Sequence, residues 1–334
     1  MYKSLAIAVP AFILAIISSS CDRVRKDADV IPSGADIKFV RIDKEDKVDV
    51  LIGGRLFTSY LYQDKLPRPV LFPLITPSGI AVNRYYPIVE VEGEKKVHPH
   101  HTGLFFAYRQ VNDDDFWLTS ASPARIRHEK ITKMVSDGGR GTLSTLSSWV
   151  GKNGNVLLQE KREMTFTAGK EEDEIDLDIT LTAQDAKVVF GDSKEGVLAV
   201  QLAEFLSEQN GTGRLLDSHG REGTKQIWGK RADWVSVEGT KDGKQAGIAV
   251  FNHPSSVNYP AFWHVRDYGL LAANPLGQYV FEKANNPDTA KPLNMTLEPG
   301  KSAVFRFHVL VYAGRRTAEQ IEKRFEVYAK QSFD

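Results

Sequence analysis

Ile175-Asp176-Leu177-Asp178-Ile179-Thr180-Leu181 alternates apolar and polar side chains without a break. Side chains alternate across an extended strand, so one face of this stretch is buried and the other is wet. The acids read as a solvated strand face rather than a set of catalytic carboxylates. The same pattern recurs on both sides. Upstream, Val48 to Ile52 runs through the turn signal Gly53-Gly54 into Leu56 to Tyr62, a hairpin. Ser136-Asp137-Gly138-Gly139 and Lys152-Asn153-Gly154-Asn155 carry turn chemistry between the strand-like runs Thr142 to Val150 and Val156 to Thr167. Downstream, Val188 to Leu206 holds two more strands, Gly239 to Phe251 a hairpin around Asp242-Gly243, and Ala303 to Tyr312 another alternating strand.

Pro67, Pro69, Pro73 and Pro77 exclude helix from the stretch between the first hairpin and Arg84. Only the C-terminus reads as helical. Thr317-Ala318-Glu319-Gln320 resembles a capping box, and Ile321, Phe325 and Tyr328 fall on one face at helical spacing. Many strands at short spacing, with no repeat and no phosphate loop, predict an all-β protein in one domain, a large antiparallel β-sandwich or barrel ending in a helix.

The chain has 334 residues, 42% apolar and 26% charged, the composition of an ordinary globular protein. Lys+Arg and Asp+Glu both number 43, so nothing points to nucleic acid or an anionic membrane surface. Residues 1–21 read as a lipoprotein-type export signal. Lys3 supplies the positive charge, and Leu5 to Ile17 is an apolar core too short to span a bilayer. Cys21, the one cysteine, stands where such signals are cleaved and lipidated. No intrachain disulfide can form, so the core must hold the fold. Residues 22–38, polar and carrying Pro32-Ser33-Gly34, read as a tether, and 39–334 as a single domain. The expected address is the periplasm or cell surface of a Gram-negative bacterium, with membrane contact only through the lipid at Cys21.

The chemistry-bearing stretch is His98-Pro99-His100-His101, followed by an apolar run to Tyr108, a polar turn Val111 to Asp115, and Phe116-Trp117. Three of the eight histidines fall in this tetrapeptide. Imidazole changes charge near neutral pH and suits acid–base work or metal ligation. Pro99 biases His98 toward extension, which puts His98 and His100 on one face and His101 on the other. The spacing matches no familiar zinc pattern, so no cofactor is expected, while a metal at His98 and His100 stays open.

Four further stretches stand out. Gly191-Asp192-Ser193-Lys194-Glu195-Gly196 sets two carboxylates and an ammonium between strands, as a site or as a charged turn. Trp228-Gly229-Lys230-Arg231-Ala232-Asp233-Trp234 joins indoles, which stack on sugar rings, to cations that hold hydroxyls or carboxylates. His253-Pro254 ends a strand. Phe262 to Gly269, FWHVRDYG, precedes Ala272-Ala273-Asn274-Pro275-Leu276-Gly277.

In this order, HPHHTGLFFA with VNDDDFW, GDSKEG, WGKRADWV, HPS and WHVRDYGLLAANPLG resemble the DUF6807 family, often labelled the PmoA family, over residues 45 to 315. Thr102 stands where that family commonly has Arg, and Arg109-Gln110 where a Gly-Asp pair is usual. The resemblance implies a secreted β-sandwich similar to the galactose-mutarotase-like supersandwich, in the company of carbohydrate-processing proteins. The label's hint of a multi-span methane oxygenase does not fit, because no segment after residue 21 is apolar enough to span a bilayer.

Two functional classes follow. In the first, a tethered enzyme acts on a sugar or sugar-derived molecule. His100 or His101 exchanges protons opposite Asp192, Glu195 or His264. Trp117, Trp228 and Trp263 wall the pocket, and Lys194, Lys230, Arg231, His253, Arg266 and Asn274 bind substrate. Histidines rather than paired carboxylates tilt this toward isomerase or lyase chemistry over hydrolysis. In the second, a non-catalytic sugar-binding lipoprotein uses the same groups. A third reading has His98 and His100 ligate a metal with a distant His253 or His264. The first two place all these residues at one mouth of the sandwich.

Overall fold

The computed structural model describes residues 34–118, 123–284 and 286–333. The export signal, Cys21 and the tether as far as residue 33 lie outside the described residues. Among the described residues the strands in chain order are β1 (Ile37–Ile42), β2 (Lys47–Ile52), β3 (Arg55–Leu61), β4 (Val70–Leu71), β5 (Leu104–Phe106), β6 (Arg125–Asp137), β7 (Arg140–Val150), β8 (Val156–Ala168) and β9 (Glu172–Ala183). They continue with β10 (Val188–Val189), β11 (Leu198–Gln201), β12 (Arg214–Asp217), β13 (Trp234–Lys241), β14 (Lys244–Asn252), β15 (Phe262–Val265), β16 (Leu270–Asn274), β17 (Thr296–Leu297) and β18 (Ser302–Ala313). The helices are α1 (Thr224–Ile227), α2 (Gln278–Glu282) and α3 (Ala318–Ala329). β1 begins at Ile37, inside the stretch expected to be tether, because residues 37–42 pair with β2 along its length.

The expected antiparallel β-sandwich is what forms. One eight-stranded sheet runs β1-β2-β3-β4-β5-β11-β16-β15, and the other runs β12-β13-β14-β18-β9-β8-β7-β6. Their inner faces meet through aromatic side chains, with Phe106 5.3 Å from Phe305 and Phe57 6.3 Å from Phe166 between ring centres. The anticipated hairpins are present, and Asp242 and Gly243 take the left-handed backbone that a tight two-residue turn requires.

The alternating stretch lies in β9 with Ile175, Leu177, Ile179 and Leu181 buried on the inner face. Its other face is not simply solvated. Asp176 accepts from His308 Nδ1 at 2.7 Å, and Asp178 accepts from Arg306 Nε at 2.9 Å. The reason is α3, whose Ile321, Phe325 and Tyr328 pack on the outer face of this sheet against Trp234, Phe251 and Leu310. The predicted capping box forms, with Gln320 N–H donating to Thr317 Oγ1 and Thr317 N–H to Gln320 Oε1. No helix among the described residues is long and apolar enough to cross a membrane.

Candidate active site at the histidine turn

The register of the first sheet places Phe105 (β5), Ala199 (β11), Ala272 (β16) and His264 (β15) in one row. Directly opposed residues share a face. Phe106, next along β5, faces the inner core, so this row lies on the outer face. Two alanines separate a bulky aromatic from a histidine, and the loops that cover this face bring the functional groups over it.

At the Phe105 side stands the histidine turn. It is not extended. His98 takes a left-handed backbone, φ +51°, and His101 N–H donates to His98 O at 3.1 Å. The chain doubles back and all three rings gather. His98 and His101 stack with centres 5.2 Å apart, and His100 meets His101 edge-on at 4.3 Å. One ring nitrogen from each lies within 4.8 Å of the others. The expected split of His101 from His98 and His100 is therefore corrected: the tight turn overrides the extended bias before Pro99.

Three groups outside the tetrapeptide hold the cluster. Gln201 donates through Nε2 to Tyr268 O at 2.9 Å, which turns its Oε1 toward His101 Nδ1 at 3.0 Å. That bond requires a proton on Nδ1 and leaves the lone pair on Nε2. Tyr268 stacks on His98 at 4.6 Å. Arg84 donates to His98 O at 3.0 Å. Trp117, fully buried, stands 5.9 Å from His101 and 4.9 Å from Phe105, with no partner for its Nε1 among the described residues. Arg68, 1% exposed, donates to Trp117 O at 2.8 Å and lies over the Phe105 ring, its Nε and Nη1 without partners among the described residues.

Electrostatics keeps these histidines neutral. Burial, then the charges of Arg68 and its neighbours, pulls His100 down to about 4. Burial and His100 pull His101 down to about 2, against the Gln201 bond. His98 is lowered by burial and Arg84. Burial likewise takes Arg68 down to about 9.

At the far side of the row His264 accepts from Arg266 Nε at 3.1 Å, and Arg266 lies over the half-buried Trp228 ring. Burial, then Arg266 and Lys194, lowers His264 to about 3. Arg109 joins the two sides. It pairs with Glu195 at 2.8 Å and Asp115 at 3.4 Å, and its charge acts on His100. Tyr268 feels Arg266, Glu195 and Arg84 at once, burial being the larger cause of its raised pKa.

The structure thus sets His100, His101 and Trp117 at the Phe105 end of this row and Lys194, Trp228, His264 and Arg266 at the other, with Glu195 held by Arg109. The other expected site residues are engaged elsewhere. The two oxygens of Asp192 accept from Tyr279 N–H at 2.7 Å and Val280 N–H at 2.8 Å, capping α2. Asn274 is spent on Ser193 O and on the Leu276 and Gly277 amides. Trp263 faces the inner core and donates to Ala232 O. Arg231 ties Asn258 O to Pro260 O and stacks on Phe262. His253 belongs to the other sheet, its ring 4.9 Å from Tyr328 on α3 and 4.8 Å from Phe333. Lys230 is half-buried in the segment that pairs with Trp263 along the edge of β15.

A cleft of about 250 Å³ opens beside the turn, lined by His98, Tyr268, Arg84, Gln201, Ser207 and Asn210 among others. Sequence reasoning passed over Tyr268, Gln201, Arg84 and Arg68. Tyr268 lies inside FWHVRDYG and Arg84 precedes the tyrosine pair, but an amide at the end of an apolar strand gives no signal.

A family model described as "Family of unknown function (DUF6807)" matches residues 47–326. No curated protein matches the chain. Among solved structures, the GH36 α-galactosidase AgaB from Geobacillus stearothermophilus is similar at TM-score 0.45 and 11% identity, over 88% of this chain and 43% of its own. The α-galactosidase from Lactobacillus brevis gives 0.41 and 11%, over 89% and 40%. A glycoside hydrolase family 97 enzyme from Pseudoalteromonas sp. strain K8 gives 0.37 and 7%, over 84% and 35%. The chain spans less than half the length of each of these proteins.

Proposed function

The chain belongs to DUF6807, a family of unknown function, and we propose that it is an exported, membrane-tethered carbohydrate-active protein that binds a sugar in the cleft beside His98 and Tyr268. The observation that carries this reading is the lining of that cleft. The Tyr268 ring, the Arg84 guanidinium, the amides of Gln201, Gln209 and Asn210 and the Ser207 hydroxyl converge beside His98, whose pKa burial and Arg84 lower, and Glu94, Lys95 and Glu204 add charge to the wall. Small polyols are held by such a mixture of one flat apolar face and many hydrogen-bonding groups.

Acid–base chemistry is the reaction class these groups support. A neutral imidazole accepts a proton, and a positioned acid or base contributes about 10²–10⁴ in rate. His98 and His100 are the half-buried members of the turn, and His264 lies at the other end of the row that runs from Phe105 through Ala199 and Ala272. Hydrolysis by two carboxylates is not favoured, since the carboxylates of the cleft are engaged, Glu94 by the Tyr85 and Tyr86 amides and Glu204 by Lys95, while beyond it Asp192 caps α2, Asp115 accepts from the Trp117 and Leu118 amides, and Glu195 is paired to Arg109. Isomerisation or elimination fits better.

The test is proton NMR of a panel of sugars, sugar acids and keto-sugars incubated with the protein in D₂O. Solvent deuterium at a sugar carbon, or a new product, is expected, and His100→Ala and His264→Ala should abolish it with little change in melting temperature. Binding without turnover of any compound would make the protein a non-catalytic sugar binder. For the tether, Cys21→Ala should release the protein from the membrane fraction or block its maturation; unchanged fractionation would contradict that part.

A further inference from the structure

We infer that His98, His100 and His101 form a binding site for one transition-metal ion of the zinc class. The proposal shares residues with the sugar site but stands on the geometry of the turn alone. Three imidazoles each present one nitrogen within 4.8 Å of the other two. Tetrahedral zinc with Zn–N of about 2.0–2.1 Å sets neighbouring nitrogens roughly 3.4 Å apart. The rings therefore need to close by about 1.4 Å at most, which small rotations of two exposed-side rings, His98 and His100, supply while His101 stays fixed.

His101 is already oriented as a ligand. Its Nδ1–H is held by Gln201 Oε1, and Gln201 is in turn locked by Tyr268 O, so the Nε2 lone pair is left for a metal. A ligating histidine almost always hands its other ring proton to such an outer partner. The left-handed backbone of His98 is a second sign, because non-glycine residues hold that conformation where the surroundings impose it, often at functional sites.

The donor set decides the class of ion. Calcium and magnesium take oxygen ligands, and the three donors here are all nitrogen. Three neutral imidazoles suit zinc, cobalt, nickel and copper. The charged neighbours decide what fills the remaining positions. Arg68 and Arg84 bring positive charge to the turn, and Arg109 does so while paired to Glu195 and Asp115. Among the described residues no carboxylate belongs to the cluster. The open positions should accordingly take hydroxide or another anion, and an anionic sugar derivative would be drawn to the same place.

The experiment uses the mature full-length chain with any affinity tag removed, dialysed against Zn²⁺ and separately Co²⁺, with metal measured by plasma mass spectrometry. Retention of about one ion per chain is expected, with visible absorption of tetrahedral cobalt. His98→Ala and His100→Ala should each weaken retention at least about tenfold, while His253→Ala and His264→Ala retain it. No retention, or equal loss in His253→Ala, would overturn the proposal. If an alanine variant misfolds, His100→Gln read by the cobalt spectrum decides instead: an unchanged spectrum overturns the site. Sugar titration of metal-free and metal-loaded protein separates the two readings, since metal binding without any sugar binding sinks the sugar proposal and leaves this one standing.

Discussion

His101 Nδ1 lies 3.0 Å from Gln201 Oε1, although the two residues stand 100 positions apart in the chain. The contact joins the entry to β5 with the end of β11, neighbouring strands of the same sheet. Gln201→Leu keeps the volume and removes both hydrogen bonds. It should weaken zinc binding about 10–100-fold through loss of the outer partner. It should also lower stability by about 1–3 kcal/mol by stranding the His101 N–H. Zinc titration and chemical denaturation measure the two effects; unchanged zinc affinity would show that Gln201 only packs.

Asp192 should behave as a helix cap. Asp192→Ala leaves the Tyr279 and Val280 amides without acceptors, so a loss of about 0.5–2 kcal/mol is expected. Asp192→Asn, which keeps one acceptor oxygen, should recover part of it. If Asp192→Ala abolished sugar turnover while leaving the denaturation midpoint untouched, the capping role would be wrong.

His308 couples stability to pH. Burial opposes its charged form, but the Asp176 hydrogen bond, Asp176's charge and Glu174 outweigh this and raise its pKa above 6.5. A raised folded pKa gives stability that is full below the unfolded value and is lost as pH rises through the folded one. Asp176→Asn should therefore cost more at pH below the ordinary 6.5 than at alkaline pH, where His308 is neutral in both states. Thermal melts of both proteins across that range check the sign, and a difference that grows with pH would contradict it.

His264 works in the opposite direction. Its folded pKa of about 3 lies below the ordinary 6.5, the largest cause being burial. As pH falls through 6.5 the unfolded chain takes up a proton that the folded one refuses, so stability declines toward about pH 3. His264→Gln should flatten the acid limb of the stability curve. An identical slope in the variant would mean that His264 is already solvated in the native state.

Where the chain is organised locally, its order was legible. The period of two in Ile175 to Leu181, the glycine turns and the Thr317–Gln320 box depend on neighbours a few positions away, and each formed as expected. The site was half legible. Histidine clustering marked the right turn, but its shape depended on the left-handed backbone at His98, which Pro99 had argued against. Partners from distant strands left no trace: Gln201 ends an apolar strand, and Tyr268 sits in a loop. The capping contact of Asp192 left no signal because α2 spans only Gln278–Glu282, too short to show a helical period. His253 looked like a site residue until α3 folded back over it.

The claim that the histidine turn is where a sugar binds is tested most directly by NMR of ¹³C-labelled histidine rings during sugar titration. Two groups of rings act as reporters on opposite sheets: His98, His100 and His101 at the turn, and His253 and His308 near α3. The account predicts that at least one sugar or sugar acid shifts the first group, leaves the second in place, and loses its effect in Tyr268→Ala. Signals of His253 and His308 moving while the turn stays still, or no ring responding to any compound, would contradict it.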